Sequence, residues 1–133
     1  MELNSIFIAG NLTKTPEINK TSTGTPVTTF TVANNRSYTK KDSDEKLQET
    51  VFVDVTVWGK QGETCAEYLG KGSKVVVDGR LKQDSWQDKE TGANRTKLGI
   101  VANKVHFVEK YGKKSLTLVL NVSLKLFLLE RNP

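Results

Sequence analysis

Cysteine and histidine each occur once in this sequence, as Cys65 and His106. A single thiol cannot form an internal disulfide bond, and a structural zinc site needs several Cys or His ligands. The two residues fall on different predicted elements, with no third residue to complete a nucleophile–base set. We therefore expect no metal site and no cysteine or histidine chemistry, and the cysteine usage is typical of a reducing compartment, the cytoplasm.

Other signals of catalysis are also missing. The sequence contains no GxxxxGK[ST] phosphate-binding loop, and its acidic residues form no spaced set typical of a two-metal nuclease. Asp42 and Asp44 resemble the start of a calcium loop, but the required Gly and closing Glu do not follow. We expect no catalytic residue and no cofactor, so a small nuclease or other enzyme is disfavoured.

The sequence has no apolar run of the length that spans a membrane. Residues 115–129 carry Leu or Val at every even position from 116 to 128, but the run is interrupted by Lys125 and is shorter than about 20 residues. The first residues do not form a positive–apolar–small leader. We therefore expect neither membrane association nor secretion.

The net charge of +5 invites a nucleic-acid interpretation, but the charge is unevenly distributed. Residues 1–109 contain 15 Lys and Arg against 14 Asp and Glu, whereas residues 110–133 contain 5 against 1. The position of the basic residues is therefore more informative than their sum.

The order of predicted elements indicates one small β-rich domain. Five segments have strand patterns, namely 3–12, 25–35, 50–58, 73–86 and 96–109, and 61–70 is the one good helix candidate. Residues 13–24 and the charged segment 36–49 have no apolar period and predict loops. Five strands with a short helix between the third and fourth predict an all-β OB-fold barrel, with a generic α+β sheet as the alternative.

The third predicted strand places aromatic rings where water is expected. Residues 51–58 read VFVDVTVW, so the odd positions are all valine and predict the buried face. The even positions combine Asp54 and Thr56 with two large aromatics, Phe52 and Trp58. Packing under a loop or in a subunit interface is one explanation, and an aromatic ligand arriving from solvent is the other.

Two further aromatics occur beside cations. Trp86 shares a strand parity with Arg80 and Lys82, and Tyr38 lies in the charged segment close to Arg36 and to Lys40. Aromatic rings stack on the bases of single-stranded nucleic acid with little regard for sequence, and Lys and Arg neutralise its phosphates. The alternative is that the mixed-sign segment is merely a solvated loop.

Five stretches of the chain, in order, closely resemble the bacterial single-stranded DNA-binding protein family. They are NSIFIAGNLTKTPE, TPVTTFTVANNRSY, FVDVTVWGK, AEYLGKGSKVVVDGRL and SWQDKETG, and together they cover residues 1 to about 109. The resemblance implies an OB-fold barrel, a homotetramer, and single-stranded DNA as the ligand in replication, recombination and repair at the nucleoid. It implies no catalytic centre and no cofactor.

The resemblance also assigns site residues. The base-stacking positions of the family fall on Tyr38, Phe52, Trp58 and Trp86, with Tyr38 and Phe52 standing where tryptophan is common. The basic residues that match its DNA-contacting surface are Arg36, Lys40, Lys60, Lys71 and Lys82. Arg80 is added because it shares a strand parity with Lys82 and Trp86. A use of the barrel chiefly for protein contact, as an accessory module of a primosome or recombination complex, is the alternative function.

The last residues depart from the family pattern. Members typically finish with a Gly/Pro/Gln-rich linker and an acidic tip that recruits replication and repair proteins. Residues 110–133 instead form a basic and apolar extension that ends SLKLFLLERNP. Partner recruitment is therefore in doubt, and we expect tighter and more salt-tolerant DNA binding than an acidic tail would allow.

Overall fold

The computed structural model describes residues 1–108, and the predicted extension at 110–133 lies outside this range. The described elements are six strands and one helix in the following order: β1 (Ile6–Leu12), β2 (Glu17–Lys20), β3 (Pro26–Thr39), β4 (Lys46–Trp58), α1 (Gly59–Tyr68), β5 (Lys74–Gln87) and β6 (Asn94–Val108). All five predicted strands and the helix are confirmed, with shifted ends. Within residues 1–108, no helix is long and apolar enough to cross a membrane.

The strands close into a five-stranded barrel with one short edge strand. The sheet order is β1-β5-β6-β4-β3-β2, and β1 also pairs with β3 through Asn11 and Leu12, which completes the barrel. Because β1 must cross from β5 to β3, the backbones come very close at Gly10. A Cβ atom at this position would overlap the carbonyl oxygen of Ala33, so a side chain does not fit there.

The barrel core is built from the inward parity of each long strand. Phe30 and Val32 on β3, Val55 and Val57 on β4, and Val75 and Val77 on β5 are all buried. Cys65 in the helix and Leu69, directly after the helix, also belong to this core and cover one end of the barrel. This confirms that the valine parity of residues 51–58 faces inward, although Val51 lies beyond the core and is exposed.

The side-chain amide of Gln61 joins helix α1 to β6 through two hydrogen bonds. β5 and β6 change register between Asp78 and Gly79, so Asn103 has no opposite residue and forms a bulge. A bulge leaves backbone groups without their ladder partners. Gln61 bonds two backbone groups at and beside the bulge: its Nε2 donates to the Asn103 carbonyl oxygen at 3.0 Å, and its Oε1 accepts from the Val105 N–H at 2.7 Å.

Two segments predicted as loops are partly strand. Residues 36–49 were expected to be a loop, but β3 continues to Thr39 and β4 begins at Lys46, so they form a hairpin arm with its turn at residues 40–45. The arm projects past the core, and nearly all its side chains are exposed, so it lacks the apolar alternation that identifies a strand. The short β2 was missed for the same reason, since its four residues are all exposed.

We predict that Gln61→Ala lowers the free energy of unfolding by about 1–2 kcal/mol, because it strands two backbone groups at the bulge. Urea unfolding at neutral pH measures the change. Thr64→Ala is the matched control, since the Thr64 hydroxyl only donates to the Lys60 carbonyl oxygen within the same helix. A loss in Gln61→Ala no larger than that in Thr64→Ala would contradict the role of the amide.

Candidate nucleic-acid interface

All ten side chains predicted to contact the ligand lie at the surface of the described chain. The exposed fractions of the four aromatic residues are 42% for Tyr38, 67% for Phe52, 46% for Trp58 and 48% for Trp86. Rings of this size are usually covered in a monomer, so four exposed rings indicate an interaction surface. Their role in binding stays a prediction, and their exposure is what it requires.

The outer face of the β3–β4 ladder holds two of these rings, Trp58 at one end and Phe52 near the middle. The pairing of β3 with β4 is unbroken from Val27 opposite Trp58 to Thr39 opposite Lys46. Phe52, opposite Ala33, and Trp58 therefore share one face. They are separated by six residues, which is about 20 Å along the strand. Smaller polar side chains lie between them, so the surface between the rings is open.

A groove of about 470 Å³ runs over this face and across to β6 and β5. Its floor includes the hydroxyl-bearing residues Thr29, Thr31 and Thr56. Its charged lining residues are Lys14, Glu17, Asp54, Lys82, Asp84 and Lys97. The rim on one side comes from the segment around β2, and the rim on the other comes from the projecting part of β5 and β6.

The carboxylate of Asp54 lies in the groove and is bonded by two neighbouring side chains. The Thr31 hydroxyl donates to Oδ1 of Asp54 at 2.7 Å, and the Lys97 ammonium forms an ion pair with Oδ2. The Lys97 contact, followed by the Thr31 hydrogen bond, holds the pKa of Asp54 below its usual range, and partial burial opposes them. Asp54 is therefore ionised at neutral pH and fixed in orientation, with 40% of its side chain exposed.

The hairpin arm of β3 and β4 carries Tyr38 on its other face. Tyr38 pairs with Leu47, an odd number of residues from the Ala33–Phe52 pair, so strand alternation directs its ring away from the groove face. The Arg36 guanidinium lies over the Tyr38 ring, 5.8 Å from its centre, and also pairs with Glu49 at 3.8 Å. The predicted cluster of Tyr38 with Arg36 is present, but it forms a separate surface from Phe52 and Trp58.

A second hairpin arm, made by the outer halves of β5 and β6, carries Trp86. Trp86 pairs with Arg95, and Asp84 pairs with Lys97, so both cations lie on the face of Arg80 and Lys82. The bulge lies on β6, so the side chains of β5 alternate between the two faces without interruption. This arm thus combines one ring with four cations on one face.

The remaining predicted cations lie farther from the groove. Lys40 is in the turn of the first arm, and Lys60 is in the first turn of α1. Lys71 lies in the turn before β5, next to Gly72, whose N–H donates to the Leu12 carbonyl oxygen. Of the six basic residues predicted, only Lys82 lines the groove itself.

Sequence reasoning missed Lys14, Lys97 and the part played by Asp54. Lys97 could have been found, because it alternates with Arg95 and Gly99 on the strand that faces Trp86. Its pairing with Asp54 could not, since 43 positions separate the two residues and only the parallel contact of β4 with β6 brings them together. Lys14 reaches the groove because the Thr13 N–H donates to the Thr31 carbonyl oxygen.

The groups that could support catalysis are not assembled in the described part of the chain. Cys65 is fully buried, and burial raises the pKa of its thiol to about 12, so it stays protonated. Residues 1–108 contain no group of three His, Cys, Asp or Glu side chains that could hold a metal ion. His106 is exposed on β6, away from the groove lining.

We predict that Lys97→Met raises the pKa of Asp54 toward its usual value, whereas Lys82→Met leaves it unchanged. An NMR titration of the carboxyl carbon measures both. Because the folded pKa lies below the unfolded one, ionised Asp54 stabilises the fold above about pH 4, and this contribution is lost as the pH falls through the folded pKa. The stability gap between the protein and Asp54→Asn should therefore be wide near neutrality and close in acid. A gap independent of pH would contradict this.

Comparison with known proteins places the chain among DNA-binding proteins. Residues 3–108 match the sequence profile of the Single-strand binding protein family. Single-stranded DNA-binding protein 2 of Chlorobaculum tepidum is 42% identical over 114 residues, which are 84% of this chain and 75% of that protein. The single-stranded DNA-binding protein of Aquifex aeolicus is 40% identical over 108 residues, 81% of this chain and 71% of that protein.

A solved structure confirms the fold. The structure described as the Plasmodium falciparum SSB complex with ssDNA superposes with a TM-score of 0.72 at 24% sequence identity, over 82% of this chain and 97% of the other. At this identity the likeness shows a shared barrel. The family match over residues 3–108 and the relatives at 40% identity or more carry the assignment, and the chain belongs to the single-strand binding protein family.

Proposed function

We propose that this chain binds and protects single-stranded DNA with little regard for sequence, in replication, recombination and repair. Phe52, Trp58 and Trp86 stack on bases in and beside the groove, and Tyr38 offers a further ring on the other face of its arm. Lys and Arg side chains neutralise phosphates along the path. The protein captures the unpaired state by mass action and needs no catalytic step.

The observation that supports this most directly is that Phe52 and Trp58 lie exposed on the same face of β4 as Asp54 and Thr56, which line the polar groove. An aromatic face left in water loses the favourable burial that a flat base would provide. Duplex DNA hides its base faces, so it cannot satisfy these rings, and single strands can. The nearby Lys82 and Lys97 supply positive charge at the groove wall.

The basic residues divide into three groups by location. Arg80 and Lys82 lie on the face of the second arm with Trp86, and Arg36 and Lys40 lie on the first arm. Lys60 and Lys71, in the first turn of α1 and in the turn before β5, extend the path beyond the groove. Each phosphate that a cation neutralises releases counterions, so each should add to the salt dependence of binding.

We predict that Trp58→Ala or Trp86→Ala weakens binding to oligo(dT) by about 1–3 kcal/mol, about a 5- to 150-fold rise in Kd, because one stacked base is lost. Anisotropy of a labelled oligonucleotide measures the affinity, and quenching of the remaining tryptophan follows the contact. Trp58→Phe and Trp86→Phe are the matched controls, since they retain a flat ring and should keep most of the affinity.

If both alanine variants bind oligo(dT) as the parent does, the rings are not the binding surface. In that case a barrel used mainly for protein contact becomes the better explanation. Absence of tryptophan quenching on saturation with oligo(dT) would point the same way.

We also propose that the chain assembles as a homotetramer. Phe7 on β1 is 69% exposed on the outer face of the sheet, where Val76 on β5 is a diagonal neighbour and the charged Asp78 and Lys104 lie directly across from it. A large exposed ring bordered by charged side chains is a suitable centre for a subunit interface. The face lies on β1, β5 and β6, so an interface there leaves the β3–β4 face free for DNA.

We predict that Phe7→Glu lowers the assembly state, because a carboxylate would have to be buried in the interface. Light scattering should give four times the 14.8 kDa chain mass for the parent protein and a smaller multiple for the variant. Lys20→Glu, an equal charge change on the exposed edge strand β2 and outside this face, is the control for general acidity. A parent protein that runs as a monomer would refute the assembly.

Residues 1–109 are, in this proposal, the DNA-binding domain, and residues 110–133 are a basic and apolar extension of separate role. Removal of the extension should leave oligo(dT) binding in place and reduce its salt dependence, because five basic residues are removed with one acidic residue. Association with the nucleoid follows from the same proposal.

A further inference from the structure

Asp54 is the anionic group on the groove floor that lies between two exposed rings. It alternates with Phe52, Thr56 and Trp58 on one face of β4. Neighbouring side chains on one face of a strand are about 7 Å apart. A base stacked on the Phe52 ring would therefore bring one edge within reach of the Asp54 carboxylate, so this carboxylate faces bases as well as backbone.

The carboxylate is rigid and still able to accept hydrogen bonds. Thr31 donates to Oδ1 at 2.7 Å, and Lys97 pairs with Oδ2, so both oxygens are fixed in place. Each oxygen of an ionised carboxylate has two acceptor sites, so each keeps one after these contacts. With 40% of the side chain exposed, the remaining sites open toward the groove.

Bases differ in what they offer to such an acceptor. Cytosine presents an exocyclic amino group at position 4, and carboxylate side chains accept hydrogen bonds from it. Thymine and uracil present a carbonyl oxygen at that position, and a carbonyl oxygen facing a fixed carboxylate is repelled. The rings themselves are of equal size, so stacking on Phe52 does not separate them.

We propose that Asp54 gives this groove a local preference for bases with an exocyclic amino group over thymine and uracil. The inference rests on the proposed function, since it concerns the same site. It makes Asp54 a specificity-determining residue inside an otherwise sequence-tolerant surface. The contact is a hydrogen bond from the base amino group to the free acceptor site of Oδ1 or Oδ2.

Lys97 acts in the opposite direction and is restrained by the same carboxylate. An ammonium donates hydrogen bonds, so a free Lys97 would favour the carbonyl groups of thymine and uracil. In the structure one of its donors is committed to Asp54. Replacement of Asp54 by Asn should therefore both exchange a charged acceptor for a weaker neutral one and release a Lys97 donor for carbonyl groups, so the two effects add.

The test compares oligo(dC) with oligo(dU) of equal length, which avoids the thymine methyl group, in the parent protein and in Asp54→Asn. The ratio of the two Kd values should shift toward oligo(dU) by about three- to tenfold in Asp54→Asn. Asp84→Asn is the matched control, because Asp84 also lines the groove but lies on the rim beside Lys82, at 3.6 Å. Asp84→Asn should strengthen binding to both oligonucleotides alike.

A second measurement changes the oligonucleotide. Oligo(dC) in which the amino groups are dimethylated cannot donate from position 4, so it should bind the parent protein about three- to tenfold more weakly than oligo(dC). The difference between the two oligonucleotides should be smaller for Asp54→Asn, which offers only a neutral acceptor.

The outcomes separate the two proposals. An equal gain for both oligonucleotides in Asp54→Asn would show that Asp54 acts only through its charge, and would overturn the base preference while leaving DNA binding intact. Unchanged ratios in both measurements would overturn it as well. Failure of the parent protein to bind either oligonucleotide would overturn the proposed function itself.

Discussion

The unbroken pairing of β3 with β4 is the constraint on which the groove depends. Because this ladder contains no bulge from Val27 opposite Trp58 to Thr39 opposite Lys46, the inward valines of β4 fix the direction of every alternate side chain. A slip of one residue would bury Phe52 and Trp58 and expose Val55 and Val57. The hydrophobic core and the exposed rings are thus two sides of one register, and neither could change without the other.

Charge in the groove is balanced by arrangement. Three cations and three anions line it, and the central carboxylate is paired with the Lys97 ammonium and accepts a hydrogen bond from the Thr31 hydroxyl. A groove of this kind attracts a polyanion weakly by its sum, so the flat surfaces of the bases carry much of the attraction. The second arm, residues 80–97, has an excess of cations, with five basic against three acidic residues, whereas the charges of the first arm, residues 36–49, balance. Stacking on Trp86 and phosphate contact are therefore combined on the second arm.

The sequence was sufficient for the barrel and for the rings because both follow from alternation within a strand. The valines of residues 51–57 and the exposed positions of Phe52, Trp58 and Trp86 can be read without knowing which strands pair. The first arm could not be read in this way, since its strands extend past the core and have no buried face to impose a pattern. Contacts between distant residues were also out of reach. The Asp54–Lys97 pair depends on the short parallel contact of β4 with β6. The hydrogen bonds of Gln61 likewise join it to backbone groups of β6 that are more than 40 positions away in the sequence.

The two arms differ from the barrel in what holds them. Beyond the core, the strands of each arm are joined by backbone hydrogen bonds and exposed cross-strand pairs, such as Arg36 with Glu49 and Arg95 with Asp88. Such regions open locally at a much lower free energy than the global unfolding, so their amide protons exchange with solvent faster than those of the barrel. The walls of the binding surface can therefore adjust to the path of a flexible strand while its floor stays fixed. Single-stranded DNA, which has no fixed shape of its own, would thus contact a rigid floor on the barrel and two flexible arms.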